Sequence, residues 1–156
     1  MFKLQIKYLS FFFGIVSILS FFNILYSYYF NLYLNLDTYY FTLLASSILF
    51  ITFFKFGKYD IKSNIFQRIL TIFLGYLLIP LVLSIPFYFS IYNLTFSNSF
   101  FEAISGFTST GFTVFDNIKL VDQSLIIWRS STQWIGGLYF LFSIIYLIDI
   151  YDDSFK

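Results

Sequence analysis

Four long runs of this chain carry no charge. No charged residue falls between Lys7 and Asp37, between Asp37 and Lys55, between Arg68 and Glu102, or between Arg129 and Asp149. The hydrocarbon core of a bilayer takes about 20 mostly apolar helical residues, with about 17 as the lower limit. The second run, residues 38–54, has 17 residues and sits at that limit, while the other three exceed it. Four spanning helices are therefore expected, near residues 8–30, 38–55, 68–92 and 124–149. The fold class that follows is all-α and integral to a membrane.

Composition points the same way. Hydrophobic residues make up 59% of the chain and charged residues 11%, against roughly 25% charged in an ordinary soluble domain. The 25 Phe and 14 Tyr stand beside only two alanines, Ala45 and Ala103. That imbalance is the mark of AT-rich coding, so the aromatic surplus carries no functional weight. A net charge of +1 offers no field for a nucleic acid. The absence of cysteine and histidine removes disulfides, zinc sites and the commonest catalytic base. Neither an enzyme nor an organic cofactor is expected.

The first span follows Lys3 and Lys7, as a cleavable signal peptide would. Its apolar stretch is longer than the roughly 7–15 residues of a signal core, and no A-x-A-like site follows it, so it is expected to stay as an anchor. Lysines and arginines mark the cytoplasmic side of membrane proteins. Lys3 and Lys7 precede the first span, and Lys55, Lys58, Lys62 and Arg68 follow the second against Asp60 alone. Both ends should face the cytoplasm, which leaves the connection holding Asp37 outside. Four spans return the acidic tail (Asp149, Asp152, Asp153, Lys156) to the inside, a mild conflict because acidic residues count little in this rule. Residues 1–62 then read as a helix pair with a basic linker, and 63–156 as a second unit.

Span three contains Gly75, Pro80 and Pro86. Each proline removes a helical N–H and crowds the preceding turn. Either the helix kinks beside the segment that follows, or neighbours re-satisfy the freed carbonyls, as membrane helices allow. Neither reading makes these residues a site.

Residues 98–116, NSFFEAISGFTSTGFTVFD, are polar and glycine-bearing, and they lie between the last two spans. A fifth span here would carry Glu102 into the membrane at a cost of a few kcal/mol. A re-entrant loop is favoured instead. Non-helical backbone survives at membrane depth only where protein covers it or a watery cavity bathes it. Ser99 and Glu102 have the S-x-x-E spacing of a capping box, which starts a helix over about 100–108. The negative C-terminal end of that helix would favour a cation in a cavity below it. Alternatively, Glu102 attracts cations at an outer mouth. Next come Ser109, Thr110, Gly111, Phe112 and Thr113. A filter built of carbonyl oxygens needs successive C=O groups aimed at one axis, and glycine permits the φ > 0 residue that flips a peptide into line.

From Phe100 to Gly137 the chain reads FFEAISGFTSTGFTVFDNIKLVDQSLIIWRSSTQWIGG. This resembles the first pore repeat of the TrkH/KtrB family of potassium-uptake proteins, whose pattern is roughly FEA-x-SG-[FL]-T-[ST]-TG-x-[ST], a D-containing loop, and WRS-x-[TS]-QWIGG. Phe101, Glu102, Ala103, Ser105, Gly106, Thr108, Thr110, Gly111, Thr113, Trp128, Arg129, Ser130, Gln133, Trp134, Gly136 and Gly137 fill the fixed positions. The two leading spans match the extra helix pair of TrkH-type chains. The resemblance implies four helix–pore loop–helix repeats around one pore, with Ser109 to Thr113 as one filter strand and K⁺ as the transported ion at the carbonyls of Thr110 and Gly111. It also implies a multi-pass protein of the cytoplasmic (inner) membrane, working as a homodimer with a cytosolic nucleotide-binding regulatory protein.

Around this core three details stay open. Trp128 and Trp134 could be interfacial anchors. Arg129 could pair with Asp116 or Asp122, or snorkel to headgroups. Gly136 and Gly137 would allow close approach of a helix or loop. The chain departs from the family in two ways. It holds one repeat where the pore needs four, and after Gly137 it is bulkier and more aromatic than usual. A lone repeat would expose unpaired carbonyls to lipid. It must therefore join further pore repeats, in a longer chain or other subunits. Otherwise it self-assembles as a single-repeat channel, or is a truncated product that transports nothing.

Overall fold

A computed structural model describes residues 7–57 and 64–154, with side chains to residue 148. Lys3, Lys58, Asp60, Lys62 and Lys156, and the boundary set at residue 62, lie outside the described residues, as do the side chains of Asp149, Asp152 and Asp153. The described chain is helical, with no strand. Helix α1 (Lys7–Tyr29) and α2 (Leu36–Phe56) form an antiparallel pair. They are followed by α3 (Ile65–Leu83), a short α4 (Ile85–Tyr88), α5 (Phe96–Phe107), a 3₁₀ turn (Ile118–Leu120) and a long α6 (Gln123–Ser154). Four segments are long and apolar enough to cross a membrane: Lys7–Tyr29, Leu36–Phe56, Ile65–Tyr88 and Gln123–Ile148. Each overlaps one of the four charge-free runs.

The turn between α1 and α2 is closed by Asn31 at φ 56°, a left-handed position that asparagine tolerates, and by Leu32 N–H donating to Ser27 O at 2.8 Å. The Lys7 ammonium lies 5.1 Å from the Phe54 ring, so the start of α1 and the end of α2 share one end of the bundle. Small hydroxyl residues join the two helices: Ser17 and Ser46 hydroxyls are 2.8 Å apart, and Ser47 donates to Ser17 at 3.3 Å. Such polar contacts hold helices together where apolar contacts give no advantage over lipid.

Pro80 sits inside α3, which ends at Leu83, and Pro86 opens α4. Ser84 bridges the break by donating its N–H to Pro80 O at 2.9 Å and its hydroxyl to Leu81 O at 2.7 Å. The Leu83 carbonyl at this break accepts from Trp128 Nε1 at 3.0 Å. Ser84 and Trp128 thus cover carbonyls at the break between α3 and α4. This corrects one expectation: Trp128 is not an interfacial anchor but a fully buried core residue, whereas Trp134 is exposed. The indole N–H needs a buried acceptor, and the proline-broken helix provides one.

Arg68, counted above as a cytoplasmic marker, is also buried. It donates to Tyr146 O at 3.1 Å and lies 5.1 Å from the Tyr146 ring. The aromatic residues of α6 beyond Gly137 have a packing role. Tyr139 and Phe142 meet Phe12 of α1 at 4.7 and 5.2 Å between ring centroids, and Tyr146 meets Tyr8 at 4.8 Å. Large rings in this register let α6 pack on α1 through offset and edge contacts. Helix α2 remains largely uncovered, presenting Phe41, Leu44, Ile48, Ile51 and Phe54 outward.

Candidate functional site

Helix α5 is too short to cross a membrane and packs against α3, α4 and α6. It begins at Phe96, four residues before the expected start. Thr95 is the N-cap, its hydroxyl accepting from Asn98 N–H at 3.3 Å. Ser99 lies inside the first turns, where its N–H and hydroxyl both donate to Thr95 O at 2.9 and 3.0 Å. The capping box assigned to Ser99 and Glu102 is therefore corrected. With the Ser99 N–H already in the helix, nothing at the helix start requires Glu102. Replacing Thr95 by alanine should cost about 1 kcal/mol, read as a lowered melting temperature of the detergent-solubilised protein.

Glu102 has other partners. It is fully buried, which excludes an exposed mouth attractor. Its Oε1 pairs with Arg129 Nε at 2.5 Å, Thr113 Oγ1 donates to the carboxylate at 3.0 Å, and Val114 N–H donates to Oε2 at 2.9 Å. A buried carboxylate is tolerable only when paired and hydrogen-bonded like this. Arg129, expected at Asp116, Asp122 or the headgroups, instead reaches across to α5 and to the loop after it. Its Nη2 donates to Gly111 O at 3.2 Å and Phe112 O at 3.3 Å. The planar guanidinium suits this task because it offers several donors in fixed directions. Asp122, which it does not engage, lies in a separate network.

The loop after α5 is defined by two left-handed residues, Ser109 at φ 56° and Gly111 at φ 82°. The glycine is where positive φ was expected. The serine was not, and no feature of its type signals it. Ser109 N–H donates to Gly106 O at 2.9 Å and Thr110 N–H to Ser105 O at 3.0 Å, closing the end of α5. The Ser105 hydroxyl then ties back to Phe112 O at 2.7 Å, and Thr108 and Thr110 hydroxyls meet at 2.6 Å. Residues Thr108 to Phe112 are exposed in this chain. Among the described residues no hydrogen bond reaches the carbonyls of Ser109 or Thr110, while that of Gly111 faces Arg129.

Below the end of α5 lies a cavity of about 330 Å³, lined by Tyr76, Phe107, Thr108, Ser109, Gly136, Gly137 and Phe140. The two glycines of α6 differ. A Cβ on Gly136 would collide with the Phe107 carbonyl, so its lack of a side chain allows α5 to rest on α6, but Gly137 has nothing within 4 Å. Close approach thus belongs to Gly136 alone. No group of three or more metal-ligating side chains occurs among the described residues. Any cation held here would meet backbone and hydroxyl oxygens.

No family model matches this chain, and no solved structure matches it. Curated proteins do. The Trk system potassium uptake protein TrkG of Escherichia coli K12 is 31% identical over 100 residues, covering 58% of this chain and 21% of that protein. TrkH of the same organism is 33% identical over 82 residues, covering 52% of this chain and 17% of that protein. An uncharacterized cation transporter of Methanocaldococcus jannaschii is 35% identical over 65 residues, covering 42% of this chain and 14% of that protein. The chain thus matches only about a fifth or less of the length of these relatives. With four helices long and apolar enough to cross a membrane, the chain is a multi-pass membrane protein that is similar, over part of its length, to Trk potassium uptake proteins.

Proposed function

We propose that this chain is the N-terminal part of a TrkH-type K⁺ uptake transporter and contributes one strand of its ion filter. One observation carries the reading: Ser109 and Thr110 are exposed residues whose carbonyls take no hydrogen bond among the described residues, on a loop that Gly111 turns at φ 82°. Peptide oxygens at membrane depth need a partner. Four such strands around an axis give a dehydrated K⁺ the oxygens that replace its water. In this reading α5 is a re-entrant pore helix. Its C-terminal end, with the half negative charge of a helix terminus, points into the cavity beside Thr108 and Ser109.

Residues Ser109 to Thr113 are the filter strand, with K⁺ at the Thr110 carbonyl. Gly111 O joins that coordination to the extent that its second lone pair is left by Arg129. Hydroxyl pairing of Thr108 with Thr110 holds the strand's lower half, and Glu102 with Arg129 holds its upper half. The remaining repeats come from a longer chain or from other subunits. The assembly lies in the cytoplasmic (inner) membrane, with the shared Lys7 and Lys55 end on the cytoplasmic side. As the family resemblance implies, it is a homodimer with a nucleotide-binding regulator.

The test is the intact mass of the native polypeptide carrying this segment, together with K⁺-dependent Rb⁺ uptake by the same membranes. A mass several times 18.5 kDa with uptake is expected. An 18.5 kDa chain that conducts as a homotetramer would replace this reading with a single-repeat channel. The same chain without flux in any assembly would leave a membrane protein that does not transport.

A further inference from the structure

The helix pair α1–α2 meets the rest of the molecule through buried hydrogen bonds that converge on the first residues of α6. Asn35 caps α2 in position but gives its helix no side-chain bond. Its amide Nδ2 donates instead to Asp122 Oδ2 at 3.0 Å, and its Oδ1 accepts from Ile91 N–H at 3.1 Å. Asn23 of α1 donates to the Ser124 carbonyl at 3.2 Å. The Tyr39 hydroxyl of α2 lies 2.9 Å from Ser124 Oγ, which itself donates to Asp122. Asp122 N–H donates to the Tyr92 hydroxyl at 2.7 Å. Asn23, Asn35, Tyr39 and Ser124 are each at most 3% exposed.

The joint's specificity rests on its paired groups, those of Asn35, Tyr39, Asp122 and Ser124, whereas Ser20 Oγ, Asn23 Oδ1 and Ser27 Oγ of α1 take no hydrogen bond among the described residues. Buried polar groups fix geometry more strictly than they add stability, because only one arrangement satisfies them. What that arrangement fixes is the start of α6. Arg129 follows Ser124 by less than two turns of that helix, and Trp128, beside it, packs on the Tyr39 ring at 6.0 Å between centroids.

We infer that Asn35, Tyr39 and Asp122 are positioning residues for the filter: they set the register of α6, and through it the height at which Arg129 holds the Gly111 and Phe112 carbonyls. This rests on the filter reading above. It assigns the α1–α2 pair a part in ion discrimination rather than in anchoring alone.

The test uses Tyr39→Phe and Asn35→Leu in the assembled transporter, reading Rb⁺ uptake, its inhibition by Na⁺, and the amount of protein in the membrane. Tyr39→Phe removes one oxygen and keeps the ring on Trp128. Asn35→Leu breaks the links to both Asp122 and Ile91. Discrimination of Rb⁺ over Na⁺, measured per molecule, is expected to fall on the order of two- to tenfold, the range that the net worth of one hydrogen bond spans. Wild-type discrimination in both variants overturns the inference, and so does a loss of protein whose surviving molecules discriminate normally. The filter reading stands or falls separately, on the Gly111 variant described below. A dead Gly111 variant beside Tyr39→Phe and Asn35→Leu variants that discriminate normally would discard only the positioning role.

Discussion

Arg129→Met is expected to be the most destabilising single substitution in this segment, at about 3–5 kcal/mol. The cause is what it leaves behind. Glu102 is fully buried, and its carboxylate would keep only the Thr113 hydroxyl and the Val114 N–H as donors. An uncompensated carboxylate in that setting costs far more than the ion pair contributes. The Gly111 and Phe112 carbonyls would also lose their donor, freeing the loop where the filter reading needs it held. Glu102→Gln should be milder, because a neutral amide can still accept from Val114 N–H and Thr113. The double variant, Glu102→Gln with Arg129→Met, should be more stable than Arg129→Met alone. That recovery, measured as melting temperature or protease resistance in detergent, is the signature of an interacting pair. Strict additivity of the two changes would mean that Arg129 acts through the carbonyls and not through Glu102.

The spans were plain in the sequence because membrane insertion depends on a coarse property. A run without charge of the right length suffices, and all four runs correspond to helices of membrane length. Partner choice was not plain. Ser99 and Glu102 have the spacing of a capping box, yet Thr95 one turn earlier offers the same cap chemistry. The local pattern could not reveal that Glu102 would be claimed by Arg129, a residue 27 positions away. Arg129 itself had two acidic residues nearer in sequence, Asp116 and Asp122. Asp122 is withdrawn from it by Asn35 and Ser124, a contact across 87 positions that no local spacing encodes. Trp128 was misplaced for the same reason. Its acceptor, Leu83 O, lies at the end of another helix, 45 positions away.

The aromatic excess shows where composition misleads in the other direction. Coding bias can raise the number of phenylalanines and tyrosines, but it cannot choose which ones face each other. Phe12, Tyr76, Phe107 and Tyr139 form a contiguous set of ring contacts. Tyr139 also donates to Ile72 O at 2.9 Å. These rings floor the region where α5 ends, so a subset of the surplus fixes the end of the helix that precedes the loop.

If this loop is a filter strand, Gly111→Asp is expected to abolish cation uptake by the complete assembly while the protein still inserts and accumulates at normal levels. Folding should survive for two reasons. A Cβ at position 111 meets nothing within 4 Å. The left-handed conformation, at φ 82°, costs most L-residues roughly 1–2 kcal/mol, and aspartate is among those that tolerate it best. Transport should fail because a carbonyl site works by balance: it must bind an ion well enough to strip its water and weakly enough to release it. A carboxylate among the Thr110 and Gly111 oxygens would add a full charge where only partial charges stood. It would also compete with Gly111 O for Arg129. Rb⁺ uptake normalised to protein in the membrane is the measurement, with Gly137→Asp as the companion variant, since Gly137 also has open space around it but has ordinary helical backbone. Normal flux in Gly111→Asp would remove the filter from this loop. Loss of flux at position 111, with uptake retained at position 137, would tie transport to the loop itself rather than to any acidic residue near the cavity.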